Sequence, residues 1–292
     1  MAECKFNKVL VANRGEIAIR VFRALNELGI TSVAVYSKED KYAMFRTLAD
    51  EAYPLNPEKG PIDAYLDIPT ILKIAKDHNV DAIHPGYGFL AENPVLVEEC
   101  EKNGITFIGP TVDSMNAMGD KISSKQIAIA SQVPIIPGVD HAMKTVEEAM
   151  EAAKTVGSPV MQQASTGGGG RGIRLVESPA QMEAAFLSAQ KESLSAFGDG
   201  AVYLEKYIHP ARHIEVQVLA DAYGTVVCPG ERDCSVLRGH QKRLGESPAP
   251  AVDGETRTAL CAAVADAVRA IGYTGAGTLE FLRDPDGNLW FM

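Results

Sequence analysis

The sequence predicts an α/β domain built on a parallel sheet, followed by an α+β region that is mostly antiparallel, and three observations carry that prediction. Short apolar runs alternate with stretches of helical period up to Gly109, the βαβ signature. Strands with strict two-residue alternation dominate the last third. Between them Val133-Pro134-Ile135-Ile136-Pro137-Gly138, with two prolines and a glycine, breaks both patterns.

In the first region the apolar runs are KVLVA (8–12), TSVAVYS (31–37), DAIHPG (81–86) and ITFIG (105–109). Between the first two, Ile17, Val21, Ala24, Leu25 and Leu28 recur at three- and four-residue steps, and Gly29 follows as a C-terminal cap. The turn after the first run, Asn13-Arg14-Gly15-Glu16, has one glycine where the dinucleotide fingerprint needs three, so the Rossmann-like pattern does not imply NAD. A helical stretch covers 114–132. The next unit reads as helix 144–156, strand 159–164, a glycine run, strand 173–176, helix 178–192 and strand 201–205. The last third shows strands at 213–219, 225–227 and 278–282, with a helix at 254–271. Its final hairpin turns on Asp284-Pro285-Asp286-Gly287, and its return strand stops at Met292. The expected division is 1–115 as an α/β domain, 116–138 as a helical linker region, 139–207 as a small lid, and 208–292 as a C-terminal domain that is incomplete.

Composition removes several function classes. Twenty-eight Lys+Arg against 38 Asp+Glu leave a net charge of −10, which excludes a basic nucleic-acid-binding face as the default. With 46% apolar and 23% charged residues, the 292-residue chain is globular rather than disordered or fibrous. No run of apolar residues reaches membrane-spanning length, and Val9–Ala12 is too short for the core of a signal peptide. Cys4, Cys100, Cys228, Cys234 and Cys261 form an odd set with no C-x-x-C pair, which points to reduced thiols in a cytoplasmic setting. His209 and His213 are four apart, but Pro210 between them denies the helix that would align them on zinc.

Several residues invite chemistry. Gly167–Gly170 with Arg171-Gly172 lies between two predicted strands, where uncovered backbone N–H groups can fold over phosphate oxygens; a plain surface loop is the equal alternative. No G-K-[ST] follows, so this is not a P-loop. Lys121 and Lys206, taken alone, read as surface lysines. Glu205 and His213 suit hydrogen bonding to adenine or ribose, with a satisfied polar pair as the simpler reading. The run Glu231–Arg243 packs four cations into thirteen residues of an acidic protein and should draw small anions, unless it is a solvated charged loop. Glu280 points away from Leu279 and Phe281 on its strand, either exposed or holding Mg²⁺ among nucleotide phosphates.

The specificity comes from resemblance. ANRGEIAIR (12–20), ADEAY (49–53), HPGYGFLAEN (84–93), FIGP (107–110), GDK (119–121), GGGGRG (167–172), LEKYI (204–208), RHIEVQ (212–217), GERDCS (230–235), HQK (240–242) and GTLEFL (277–282) together resemble the biotin carboxylase component of biotin-dependent carboxylases, within the ATP-grasp superfamily. GPIDAYLDI (60–68) and MFRTLADEAY (44–53) lean toward the pyruvate carboxylase branch over the acetyl-CoA carboxylase branch. The resemblance implies an ATP-grasp fold whose lid and C-terminal domain hold ATP. It implies carboxylation of biotin on a carrier protein, driven by ATP and bicarbonate through carboxyphosphate, with Mg²⁺, or Mn²⁺ in its place, neutralising charge. A biotin carboxyl carrier protein, a carboxyltransferase and a homodimer are the implied partners. By matching motif, Lys121 contacts phosphate and Gly169 with Gly170 closes over it. Glu205 and the backbone of Lys206 and Ile208 read adenine, and His213 and His240 border the nucleotide. Lys242 faces bicarbonate, Arg238 adds charge nearby, and Glu280 ligates the metal.

Departures from the family pattern fall on the same motifs. Where M-x-K-A-S carries a phosphate-binding lysine, this chain has Met161-Gln162-Gln163-Ala164-Ser165; Leu237 replaces a glutamine, Gly239 an arginine and Gly245 an acid. A charge-assisted contact is worth roughly 1.5–3 kcal/mol against about 1 for a neutral one, so Gln163 is expected to weaken nucleotide binding about tenfold or more. The family's second metal glutamate, catalytic base and further arginines lie beyond the position of Met292, and a fragment or impaired homologue is therefore expected. A binding module without turnover, and another ATP-grasp ligase acting on carbamoyl phosphate or an amino acid, are the alternatives.

Overall fold

The computed structural model describes residues 6–119, 121–139, 141–164, 173–197, 200–238 and 241–292, with the backbone alone at 121, 122, 164, 196, 197 and 241. The chain divides into two compact units, 1–115 and 116–292.

The first unit alternates β1 (Lys8–Val11), α1 (Gly15–Glu27), β2 (Thr31–Tyr36), α2 (Met44–Leu48), β3 (Glu51–Pro54), α3 (Ile68–Asp77), β4 (Ala82–His84), α4 (Pro94–Lys102) and β5 (Thr106–Phe107). The strands are all parallel, in the order β3-β2-β1-β4-β5. Both faces are covered, which is why these strands read as unbroken apolar runs. Leu10, Val33, Val35 and Ile83 enter one core, while Val9, Val11, Ala34 and Ala82 enter the other with Ala18, Val21, Phe22 and Leu25 of α1. Gly29, at φ +71°, ends α1 where predicted. Strand β3 was not predicted: four residues ending in proline at a sheet edge carry almost no periodic signal.

Helix α5 (Val112–Gly119) contains the boundary, and α6 (Lys121–Ala130), α7 (Val146–Val156), β6 (Val160–Ala164), β7 (Arg174–Val176), α8 (Met182–Phe197) and β8 (Val202–Lys206) follow. Strands β7-β6-β8 make a small antiparallel sheet. Met143, Ala149, Ala153, Val160, Val176, Met182, Phe186 and Leu204 pack it against α7 and α8. Thr145 and Glu148 start α7 with a reciprocal capping box.

The last part of the chain folds as β9 (Arg212–Ala220), β10 (Val226–Arg238), β11 (Gln241–Glu246), α9 (Gly254–Ala270), β12 (Gly275–Arg283) and β13 (Leu289–Phe291). The order β11-β10-β9-β12-β13 is antiparallel throughout. Ile214, Val216, Val218, Leu279 and Phe281 bury one face against Leu260, Val264 and Val268 of α9. The three sheets realise the ATP-grasp layout expected of the sequence. The proline-rich stretch is stitched in on both sides: Pro134 accepts from the Phe291 N–H, and Pro137 from the Lys206 N–H, each at 2.7 Å. Gly138 lies so close to β8 that a Cβ there would meet the Leu204 carbonyl oxygen at 2.6 Å.

Candidate functional site

The apolar alternation of β9 sends Ile214, Val216 and Val218 into the core, so His213, Glu215 and Gln217 share the opposite face. On that face the register sets Glu215 across from Glu280 of β12 on one side and from Arg232 of β10 on the other. Two carboxylates directly opposed across a strand pair repel one another. Two cations compensate. Lys242, on β11, donates to both Glu215 and Glu280, and Arg232 donates to Glu215 and, at 3.1 Å, to Gln217. His213 Nε2 stands 3.5 Å from Glu280 Oε2, an electrostatic contact at the outer limit of a hydrogen bond. That nitrogen is buried and has no hydrogen-bond partner among the described residues.

These contacts set the titration. His213 first, and then Lys242 against the opposing effect of burial, hold the Glu280 carboxyl down at about 2. Burial pushes the Glu215 carboxyl up, but hydrogen bonds from Lys242 and Arg232 outweigh it and leave the pKa lowered. Burial likewise opposes the charge on Lys242, and its hydrogen bonds to Glu215 and Glu280 still leave it raised. Glu215, Glu280 and Lys242 are therefore all charged near neutral pH.

One ligand atom from each of His213, Glu215 and Glu280 lies within 4.8 Å of the others. Two hard carboxylates beside an unpartnered imidazole nitrogen fit a divalent ion such as Mg²⁺ or Mn²⁺. The Lys242 ammonium bridges the same two carboxylates and would have to give way for an ion to join them both.

A second polar cluster is buried on the small sheet. Glu205, on β8, receives Lys125 of α6 on Oε1 and Gln163 Nε2 of β6 on Oε2, the latter at 2.6 Å. Lys125 also donates to the Tyr203 hydroxyl. Burial lowers the Lys125 pKa, and the charge of Glu205 works against that shift.

Of the residues singled out from sequence, the structure brings His213, Lys242 and Glu280 together on one sheet face, and Gln163 with Glu205 on another. Glu205 does not pair with His213. Lys206 is exposed and Ile208 half-buried just after β8, while Arg238 is exposed at the end of β10 and makes no ion pair among the described residues. The side chain of Lys121, and the whole of Gly169, Gly170 and His240, lie outside the described residues. The charged stretch from Glu231 to Arg238 is strand rather than a solvated loop, with Glu231 and Asp233 buried on Arg257 and Arg212.

Sequence reasoning missed Lys125 and Glu215, and read Arg232 only as one of the four cations of the run from Glu231 to Arg243. Two signals could have found the first two: Lys125 lies four residues from Lys121 on one helix, and Glu215 two residues from His213 on one strand, so each shares its partner's face.

Residues 5–115 match the family described as biotin carboxylase, N-terminal domain, and residues 120–292 match the carbamoyl-phosphate synthase L chain, ATP binding domain. The chain is 49% identical, over 99% of its length, to pyruvate carboxylase 1 of Caenorhabditis elegans, of which it spans 24%. It is 49% identical, again over 99% of its length, to the biotin carboxylase of a Nostoc species, of which it spans 64%. Among solved structures, the biotin carboxylase domain dimer of Hydrogenobacter thermophilus 2-oxoglutarate carboxylase, in complex with MgADP, ADP and bicarbonate, superposes with a TM-score of 0.95 at 47% identity. That match covers 99% of this chain and 63% of the other. The chain belongs to the ATP-grasp biotin carboxylase family, of which it carries the N-terminal α/β domain and an ATP-binding region.

Proposed function

We propose that this chain binds MgATP and bicarbonate as the nucleotide-handling part of a biotin carboxylase that carboxylates biotin on a carrier protein. The observation that carries the reading is the ionised row on the sheet face, in which Lys242 is held between Glu215 and Glu280 beside His213. Phosphoryl transfer to bicarbonate asks for fixed cations around anionic oxygens and for carboxylates that hold a divalent ion. Glu280, with Glu215 and His213 beside it, would hold Mg²⁺ or Mn²⁺, which supplies charge neutralisation at the phosphates. Lys242 would orient bicarbonate by charge, with Arg238 adding positive potential along the same hairpin. Glu205 and the backbone of Lys206 and Ile208 would read the adenine. Lys121, Gly169 and Gly170 would complete the phosphate contacts, and His240 would border the nucleotide. The complex of the Hydrogenobacter relative with MgADP and bicarbonate supports this set of ligands, and its dimeric state supports a homodimer here. A biotin carboxyl carrier protein and a carboxyltransferase are the proposed partners of the whole assembly.

Isothermal calorimetry with MgADP and MgATP, followed by phosphate release with bicarbonate and free biotin, tests the reading. Magnesium-dependent nucleotide binding is expected. Leu237 and Gly239, which replace a glutamine and an arginine of the family pattern, favour a second outcome in which nucleotide binds without turnover. Absence of binding, or turnover only with an amine or amino acid, overturns the proposal.

A further inference from the structure

No C-x-x-C spacing pairs the cysteines along the chain, yet the fold joins two of them that lie 33 residues apart. Cys228 stands on β10 and Cys261 on α9; both are free and half-buried. The Cys228 thiol donates to the Cys261 carbonyl at 3.5 Å, and the two thiols are within hydrogen-bonding reach of one another. Both side chains pack against the core under the last sheet. Farther along the strand Glu231 grips Arg257, which precedes Cys261 by about one turn of α9, so the thiols make a second rung between the same two elements. Cys100 and Cys234, by contrast, are buried.

We propose that Cys228 and Cys261 form a modification site, a dithiol that hydrogen peroxide oxidises to an intramolecular disulfide clamping α9 to β10. Cys261 is the first nucleophile. Burial raises both thiols, Cys228 to about 11 with some relief from Arg269; at Cys261 the hydrogen bond from Cys228 and the charge of Arg257 work against burial and Glu231. The Cys261 thiolate attacks one peroxide oxygen, the O–O bond breaks, and the departing hydroxide takes up the thiol proton as water. The Cys228 sulfur then attacks the sulfenic acid left on Cys261: the S–O bond breaks, the S–S bond forms, and a second water leaves with the Cys228 proton. Two electrons have passed from the sulfur pair to the peroxide. Thiolate is scarce at these raised values, so the pair answers sustained oxidant rather than a brief pulse. Burial shields Cys100, pushed up to about 12, more strongly still. The closed ring removes freedom chiefly from the unfolded chain, so the clamp stabilises the fold.

The test takes the full chain, first reduced and then held in hydrogen peroxide, and reads intact mass, peptide maps made without reductant, and thermal midpoint. The expected product is a single chain lighter by the mass of two hydrogens, with the Cys228 peptide linked to the Cys261 peptide. Its midpoint should stand several degrees above that of the reduced chain, and dithiothreitol should reverse both the link and the rise. Cys228→Ser and Cys261→Ser should each abolish them, and the peptide map of the wild type decides the pairing even where a variant does not fold. Added oxygen without a link overturns the inference. So does a link to Cys4, Cys100, Cys234 or a second chain, or a Cys228–Cys261 link that leaves the midpoint unchanged or lower.

Discussion

Glu280 owes its low pKa to His213 and Lys242, and that debt is visible in acid. Because the folded carboxyl titrates at about 2 against an ordinary value of 4.5, its contribution to stability is complete above about 4.5 and is lost as pH falls toward 2. Urea unfolding from pH 6 to pH 2 should therefore show Glu280→Gln with a shallower loss of stability in that window than wild type; equal slopes would remove the carboxylate from the account. Gln162 makes the opposite case. It is fully buried on β6, and neither its amide nitrogen nor its oxygen has a partner among the described residues. An unsatisfied buried polar group costs about 1–3 kcal/mol, so Gln162→Met, similar in volume, should stabilise the chain by about 1 kcal/mol in chemical denaturation. These side chains also mark the limit of what the sequence discloses. Glu280 stood out because Leu279 and Phe281 fix the strand's buried face, whereas only its spacing from Lys121 sets Lys125 apart from a surface lysine. Its burial depends on Glu205, eighty residues away.

Elements were legible in proportion to their periodicity. The alternation in β9 and the Asp284–Gly287 turn between β12 and β13 predicted both strand pairing and exposed faces, and α1 and α9 stand within a few residues of their predicted spans. Strand β10 was predicted only at its start, because Glu231, Arg232 and Asp233 look like a solvated loop until their partners arrive from other elements. Glu231 is 1% exposed and takes the Arg257 guanidinium of α9 on both oxygens, at 2.7 to 2.9 Å, along with the Ala249 N–H at 3.1 Å. This fork ties α9 to the charged strand. Arg257→Met leaves the Glu231 carboxylate buried without its cation, so it is expected to lose clearly more stability in chemical denaturation than a surface substitution does. A loss below about 0.5 kcal/mol, the scale of surface pairs, would contradict it. At the proline-rich stretch, Gly138→Ala drives a Cβ to 2.6 Å from the Leu204 oxygen and should lower the thermal midpoint, read by differential scanning fluorimetry.

For the whole molecule, the parallel sheet and the two antiparallel sheets follow from hydrophobic pattern, while the polar clusters follow from pairings across many residues. Pattern therefore predicts the fold, and the chemistry needs the register. The central claim is that the ionised row around Lys242 and the cluster around Glu205 serve one nucleotide. Ligand binding to the folded state alone stabilises it by about 2.7 kcal/mol at a hundredfold excess over Kd, so magnesium with ADP should raise the thermal midpoint where ADP with a chelator raises it less. The most direct measurement is a crystal structure of the chain with Mg²⁺ and a nonhydrolysable ATP analogue. The account predicts metal on Glu280, the terminal phosphate toward Lys242, and the base against the backbone of Glu205–Ile208; a ligand bound elsewhere, with both clusters unchanged at full occupancy, would contradict it.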